Sequence, residues 1–217
     1  MTLNKRTIAF FGGTGGLGSQ TVDCLSKEYQ VDALGRAHID INDHLKLSTY
    51  LQNNKPNVVV FFTNYNYNCF LHKYSTNKEE LIKQINTNIV GVTLGISEAL
   101  AYMREAQFGR IILASSVTVS APIAGTSVYA SCKAYYENLV KVIAMENASK
   151  NITANCIQLG YMDGGLTYTL PEDFLKDTIN KIPAKRLGSV EEIATTIDFL
   201  IKNEYVNGVS LKIAGGL

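Results

Sequence analysis

Thr7-Ile8-Ala9-Phe10-Phe11-Gly12-Gly13-Thr14-Gly15-Gly16-Leu17-Gly18 is the stretch whose reading decides the fold. Residues 7–11 form an apolar run cut off by glycines, the pattern of a strand buried on both faces of a parallel sheet. A helix-like run, Ser19 to Tyr29, follows directly. Strand, glycine turn and helix together make the first half of a dinucleotide site. Glycines let backbone approach a pyrophosphate, and the helix N-terminus offers free N–H groups with a positive dipole. Gly12, Thr14, Gly15, Gly16, Leu17 and Gly18 are the candidate cradle. The plainer alternative is a tight turn that holds no ligand.

Outward from that turn, short apolar runs alternate with helical patterns. The strands predicted are Thr7–Phe11, Val31–Leu34, Asn57–Phe62, Arg110–Ser115, Thr153–Leu159 and Val209–Ile213. This alternation predicts one α/β domain over residues 1–217, a Rossmann-type doubly wound and mainly parallel sheet. A length of 217 residues, 46% hydrophobic and 18% charged, suits a single core of that size. A net charge of +1 gives no basic face, so nucleic acid is not an expected partner. The four cysteines are scattered and the three histidines share no ligand spacing, so neither a disulfide framework nor a metal site is expected. Lys5 and Arg6 precede an apolar run too short for a signal peptide or a membrane span. With free thiols, this predicts a cytoplasmic protein.

Ser127-Val128-Tyr129-Ala130-Ser131-Cys132-Lys133 carries the chemistry. The apolar spacing predicts a helix over Ser127 to Ala148, and positions four apart share one face of it. That sets the Tyr129 phenol beside the Lys133 ammonium. A nearby cation favours phenolate, and a tuned tyrosine exchanges a proton with a carbonyl or alcohol oxygen. A serine from Ser115-Ser116 would hold that oxygen. The alternative is a half-buried ring beside a solvated charge.

Gly12-x-x-x-Gly16-x-Gly18 and Tyr129-x-x-x-Lys133 resemble the short-chain dehydrogenase/reductase family. The resemblance covers nearly the whole chain. Asn86-Thr87-Asn88-Ile89-Val90-Gly91 is similar to the family's helix with a catalytic Asn, which falls on Asn88. Gly109 to Ser116 is similar to the strand that ends in the catalytic Ser, and the spacing to the Tyr selects Ser116. Ile152 to Ile157, Arg186 to Ala194, and Asn207 to Ile213 with Gly215-Gly216 are similar to the late strands, loop and tail. The resemblance implies an NAD(P)-dependent oxidoreductase. Tyr129 would give the proton, Lys133 would lower its pKa and hold the nicotinamide ribose, and Ser116 would orient the carbonyl. Asn88 would keep a water relay to Lys133. The late part of the chain is most similar to 3-oxoacyl-carrier-protein reductases, so a small-molecule or carrier-bound carbonyl is implied, with sugar and polyol substrates open. The helices beginning near Leu81 and Ser127 would pair in a homodimer or homotetramer.

The departures carry expectations too. Phe61-Phe62-Thr63-Asn64 stands where the family has Asn-Asn-Ala-Gly, so Thr63 and Asn64 would give backbone contacts to the cofactor. That change also motivates a second reading, a catalytically silent dinucleotide-binding subunit or sensor. Leu159-Gly160 replaces Pro-Gly, with Gly160 beside the nicotinamide. Gly164-Gly165 could hinge a variable stretch, Tyr161 to Pro183, that closes over substrate. Only a few residues separate Val31–Leu34 from Ile39-Asp40-Ile41, too few for a crossover helix. One edge strand should therefore be reduced or missing, with Asp40 and Ile41 still near adenine. Gly35-Arg36 ends the second strand without an acid. Gly35 would leave room for a 2′-phosphate and Arg36 would meet it, favouring NADP over NAD with NAD still accepted.

Overall fold

The structure is a computed structural model that describes residues 6–217; Lys5 lies outside the described residues. The first apolar run is strand β1 (Thr7–Phe11), with Ile8 to Phe11 wholly buried. The remaining strands are β2 (Gln30–Leu34), β3 (Val58–Phe61), β4 (Gly109–Ser116), β5 (Ile152–Leu159) and β6 (Ser210–Ile213). They form one sheet in the order β2-β1-β3-β4-β5-β6, with every pair parallel. The order reverses between β1 and β3, and a crevice opens there beyond the strands' carboxyl ends.

Helices cover both faces, as a parallel sheet requires. One face packs α2 (His44–Asn54), α4 (Val92–Ala106) and α5 (Ser127–Asn147) through Leu47, Leu51, Val92, Ile96, Tyr136, Val140 and Ile143. The other packs α1 (Gly16–Leu25) and α7 (Val190–Lys202) through Val22, Leu25, Ile193, Ile197, Leu200 and Ile201. Each fully buried aliphatic side chain contributes about 1.5–3 kcal/mol. A capping box starts α7: Ser189 accepts from the Glu192 N–H, and Glu192 accepts from the Ser189 N–H. Arg186 then closes on the Glu192 carboxylate at 2.6 Å.

The first helix differs from the sequence reading. It begins at Gly16, not Ser19, and ends at Leu25. Gly15 is its extended N-cap, so the last glycines of the turn are already helical. Beyond the helix, Tyr29 is buried and its hydroxyl donates to Asp198 at 2.5 Å. The helix expected near Leu81 starts earlier as α3 (Lys78–Ile85), and a single π turn, Asn86–Gly91, joins it to α4. Such turns concentrate at functional sites.

Between β2 and α2 there is neither helix nor strand. His38 and Ile39 both donate to the Gly35 carbonyl at 2.9 Å, and Asp40 makes an Asx turn onto the Asn42 N–H. The family's outer strand is missing, as the short spacing predicts, and β2 is the sheet edge. The variable stretch holds α6 (Glu172–Lys181), begun by Pro171.

Candidate active site

A cavity of about 550 Å³ opens over the carboxyl ends of β1, β3, β4 and β5. Gly12, Thr14 to Gly18, Arg36, Asp40, Ile41, Thr63, Asn64, Ser116, Tyr129, Lys133 and Gly160 all line it. Asn88 does not.

Close backbone contact explains the glycine turn. Gly12 has φ +89°, and its N–H donates to the Leu34 carbonyl at 2.7 Å. A Cβ there would stand 2.7 Å from the Phe62 carbonyl carbon, and one on Gly18 would stand 2.1 Å from the Gly12 oxygen. Gly15 is different: a Cβ would meet only the Gly12 oxygen, at 3.5 Å. No side chain caps α1, and no acid lies in its first turn. The N–H groups there point to an open cavity with the helix dipole behind them. This suits a diphosphate.

Gly35 does not have the role expected of it. A Cβ would fall 1.8 Å from Thr14 Oγ1, so the space belongs to the threonine and not to a phosphate. Thr14 is thereby held against the end of β2. Arg36 is exposed on the cavity wall and has no hydrogen bond or ion pair among the described residues. Asp40 spends Oδ1 on the Asn42 N–H and amide, at 2.9 and 3.0 Å. Asn42 in turn donates to Thr87 Oγ1 at 3.1 Å. Ile41 is buried against Gly91.

Phe61-Phe62-Thr63-Asn64 fits without distorting the sheet. Phe61 stacks on Phe11 with ring centroids 4.9 Å apart and planes 7° off parallel. Phe62 tilts against Phe10. Asn64 keeps a buried Oδ1 with no partner among the described residues. A glycine cradle, an uncapped helix end and an unpaired amide oxygen in one cavity fit a polar dinucleotide. Gly160 is glycine for another reason: a Cβ would lie 2.8 Å from Ala214 Cα.

The candidate reacting groups come from β4 and α5. Ser115 turns its hydroxyl to Glu137 Oε1 at 2.6 Å. Ser116 accepts from the Thr118 N–H at 3.2 Å and hydroxyl at 3.0 Å, and its hydroxyl stands near enough to the Tyr129 phenol to act on it. Burial pushes the Tyr129 phenol up, and the Ser116 hydroxyl draws it partly back. Lys133 is 3% exposed and so is not a solvated charge. Its ammonium donates to the Ala114 carbonyl at 3.0 Å and lies 5.6 Å from the Tyr129 ring centre. Burial lowers Lys133 to about 8. Burial thus sets the phenol above its ordinary value, opposite to the sequence expectation.

Asn88 makes its protein contacts outside the cavity lining. Its amide accepts from the Tyr65 N–H and donates to the Tyr65 carbonyl, both at 2.8 Å. Its own backbone carbonyl accepts from the Tyr136 hydroxyl. The loop after β3 has no ladder partner, and a buried amide satisfies its backbone instead. Sequence reasoning missed Asn42, Thr87, Met162, Leu166 and Thr167, which also line the cavity. Thr87 had a signal, its place in Asn86-Thr87-Asn88; the others had none. Gly164 and Gly165, flagged only as a hinge, face the start of α1. A Cβ on Gly16 would lie 3.5 Å from the Gly165 backbone. Among the described residues no three His, Cys, Asp or Glu gather as a metal site, and no helix is long and apolar enough to cross a membrane.

A family model described as enoyl-(acyl carrier protein) reductase matches residues 20–217. The chain belongs to the short-chain dehydrogenase/reductase family. The match begins beyond the glycine turn, so the turn is independent support. Among the short-chain dehydrogenase relatives, the 3-oxoacyl-[acyl-carrier-protein] reductase MabA of Mycobacterium tuberculosis is 30% identical over 188 residues, 86% of this chain and 72% of that one. Carbonyl reductase family member 4 of Xenopus laevis is 28% identical, covering 98% of each chain. A small-chain dehydrogenase solved with NADPH superposes at a TM-score of 0.86 with 23% identity and 98% coverage of both chains. ElxO with NADP bound gives 0.83, also at 23% identity and 98% coverage. These two structures share the fold.

Lys133 makes stability depend on pH. Its folded pKa of about 8 lies below the unfolded value near 10.5. Between those values the unfolded chain binds more protons, so stability rises with pH. Lys133→Met removes that slope. From pH 8 to 10.5 the unfolding free energy of the parent should gain about 3 kcal/mol on the variant, read from urea midpoints. Parallel pH profiles would show that Lys133 is not the titrating group.

Proposed function

We propose that the chain transfers a hydride between NADP(H) and a carbonyl or secondary alcohol. The observation that carries this reading is the convergence of Ser116, Tyr129 and buried Lys133 on a cavity floored by an uncapped helix N-terminus. The nicotinamide, when bound, supplies or accepts the hydride. In reduction the Ser116 hydroxyl donates to the substrate oxygen and fixes the carbonyl. Tyr129 gives its proton to the oxygen as negative charge develops there. The phenolate left behind is stabilised by the Lys133 ammonium once the two approach. Lys133 also has donors to spare for the nicotinamide ribose. Asn88 supports the site by holding the Tyr65 backbone. The names of the relatives favour a 3-oxoacyl substrate on a carrier, with a sugar or polyol as the other class. The four free thiols suit a reducing, cytoplasmic setting.

Tyr129→Phe should lower kcat by at least a hundredfold and leave the NADPH dissociation constant within about threefold, since the phenolic proton serves only the chemistry. The measurement is stopped-flow NADPH oxidation over a panel of ketones, acyl thioesters and sugars, beside a fluorescence titration. Undiminished turnover would remove the proton-donor role. A parent that binds NADPH and turns over nothing in the panel would favour the silent subunit.

Arg36 is proposed to read the 2′-phosphate. A charged contact of this kind contributes about 1.5–3 kcal/mol. Arg36→Ala should cut the NADPH/NADH ratio of kcat/KM by tenfold or more, and an unchanged ratio would exclude that role.

We further propose a homodimer or homotetramer paired through α4 and α5. Val90 and Leu94, and Val142 and Met145, leave apolar surface exposed on the helical segments there. Light scattering at micromolar concentration should give twice or four times the chain mass; a monomer would refute the assembly.

A further inference from the structure

Tyr136 has no part in the chemistry above, yet its ring packs against the Lys133 ammonium. It is fully buried on α5. Its hydroxyl donates to the Asn88 carbonyl, which fixes the plane of the ring. The Lys133 ammonium sits over that ring, 4.8 Å from its centre, nearer than it sits to Tyr129. An ammonium has three donors, and here the protein satisfies one, at the Ala114 carbonyl. Burying that cation is costly whatever its remaining donors meet. The face of an aromatic ring offsets part of that cost, most strongly where water is excluded.

The other groups around the cation do little. From α5 they are Tyr129, Cys132 and the Glu137 carboxylate, whose Oε1 is taken up by the Ser115 hydroxyl and the Gln158 amide; from β5 there is Cys156. Burial raises both thiols, so neither brings a negative charge at neutral pH. Beside the Ala114 carbonyl, the Tyr136 ring is the nearer of the two aromatic faces on Lys133.

We propose that Tyr136 is a positioning residue that holds the Lys133 ammonium in the site through its ring face. This rests on the reading of Lys133 as the working cation of the site. The contact favours the charged form, so removing the ring should lower the Lys133 pKa further, by about one unit.

The test uses the ligand-free chain labelled with ¹³Cε-lysine and titrated by NMR, the Lys133→Met spectrum identifying the resonance. Tyr136→Phe keeps the ring and should titrate within a few tenths of a unit of the parent. Tyr136→Leu should titrate about one unit lower, and the pH profile of kcat should move with it. If the Leu variant does not fold, phenylalanines of increasing fluorination at position 136 weaken the ring face without changing its shape, and should lower the pKa in steps. An unchanged Lys133 in Tyr136→Leu or across the fluorinated series would overturn the proposal. So would an equal drop in Phe and Leu, which would assign the effect to the hydroxyl. A parent without turnover would count against the enzyme reading and leave the NMR comparison decisive for Tyr136.

Discussion

Keeping an ammonium out of water at the ends of β4 and β5 is the constraint on which the upper half of the molecule depends. Depressing Lys133 from 10.5 to about 8 corresponds to about 3 kcal/mol of unfavourable burial. The surroundings offset part of it. The Ala114 carbonyl stands at the end of β4, the Tyr136 ring lies beneath, and Asn88 holds Tyr136 by the hydroxyl. Asn88 also fixes Tyr65, so the lysine is joined through two side chains to the loop that leaves β3. A buried charge held in this way is ready to act on whatever enters the cavity, without solvent reorganisation.

The sheet itself was legible because parallel strands buried on both faces leave an uninterrupted apolar record. Ile8 to Phe11 and Val58 to Phe61 are such runs, and each of the six strands falls where that record predicts, within one residue at either end. The start of α1 was not legible. Glycine disfavours helix, so Gly16 and Gly18 read as turn. Tertiary contact overrides that preference: only glycine allows the first turn of α1 to press against the Gly12 carbonyl. The same limit hid the reason for Gly35. A glycine signals close approach but not what approaches, and here it is Thr14 from the neighbouring turn.

At the site, the positions were more legible than the partners. Tyr129 and Lys133 share a face because helical spacing puts them there. Ser116 was separated from Ser115 by spacing to the tyrosine, and the structure gives the physical counterpart: alternation along β4 sends Ser115 to Glu137. What Asn88 and Lys133 bond to depends on residues distant in the chain. Asn88 meets Tyr65, 23 positions away, and Tyr136, 48 positions away. No periodicity within one element encodes such pairs.

Loss of the outer strand explains one residue that the sequence left without a role. With β2 at the edge, alternate residues face solvent, and Gln30 and Asp32 are exposed. A bare parallel edge invites pairing with another chain, and a charge within the strand discourages it. Asp32 supplies that charge, and Tyr50 of α2 donates to its carboxylate at 2.5 Å, pinning the helix that follows across the shortened connection. Residues 35–43 then do locally what a longer chain would do with a strand. The Asx turn at Asp40 and the Asn42 bond to Thr87 wall the far end of the cavity directly against the π turn. That turn carries Asn88 at its centre, so the wall of the cavity and the support of Lys133 rest on one six-residue segment.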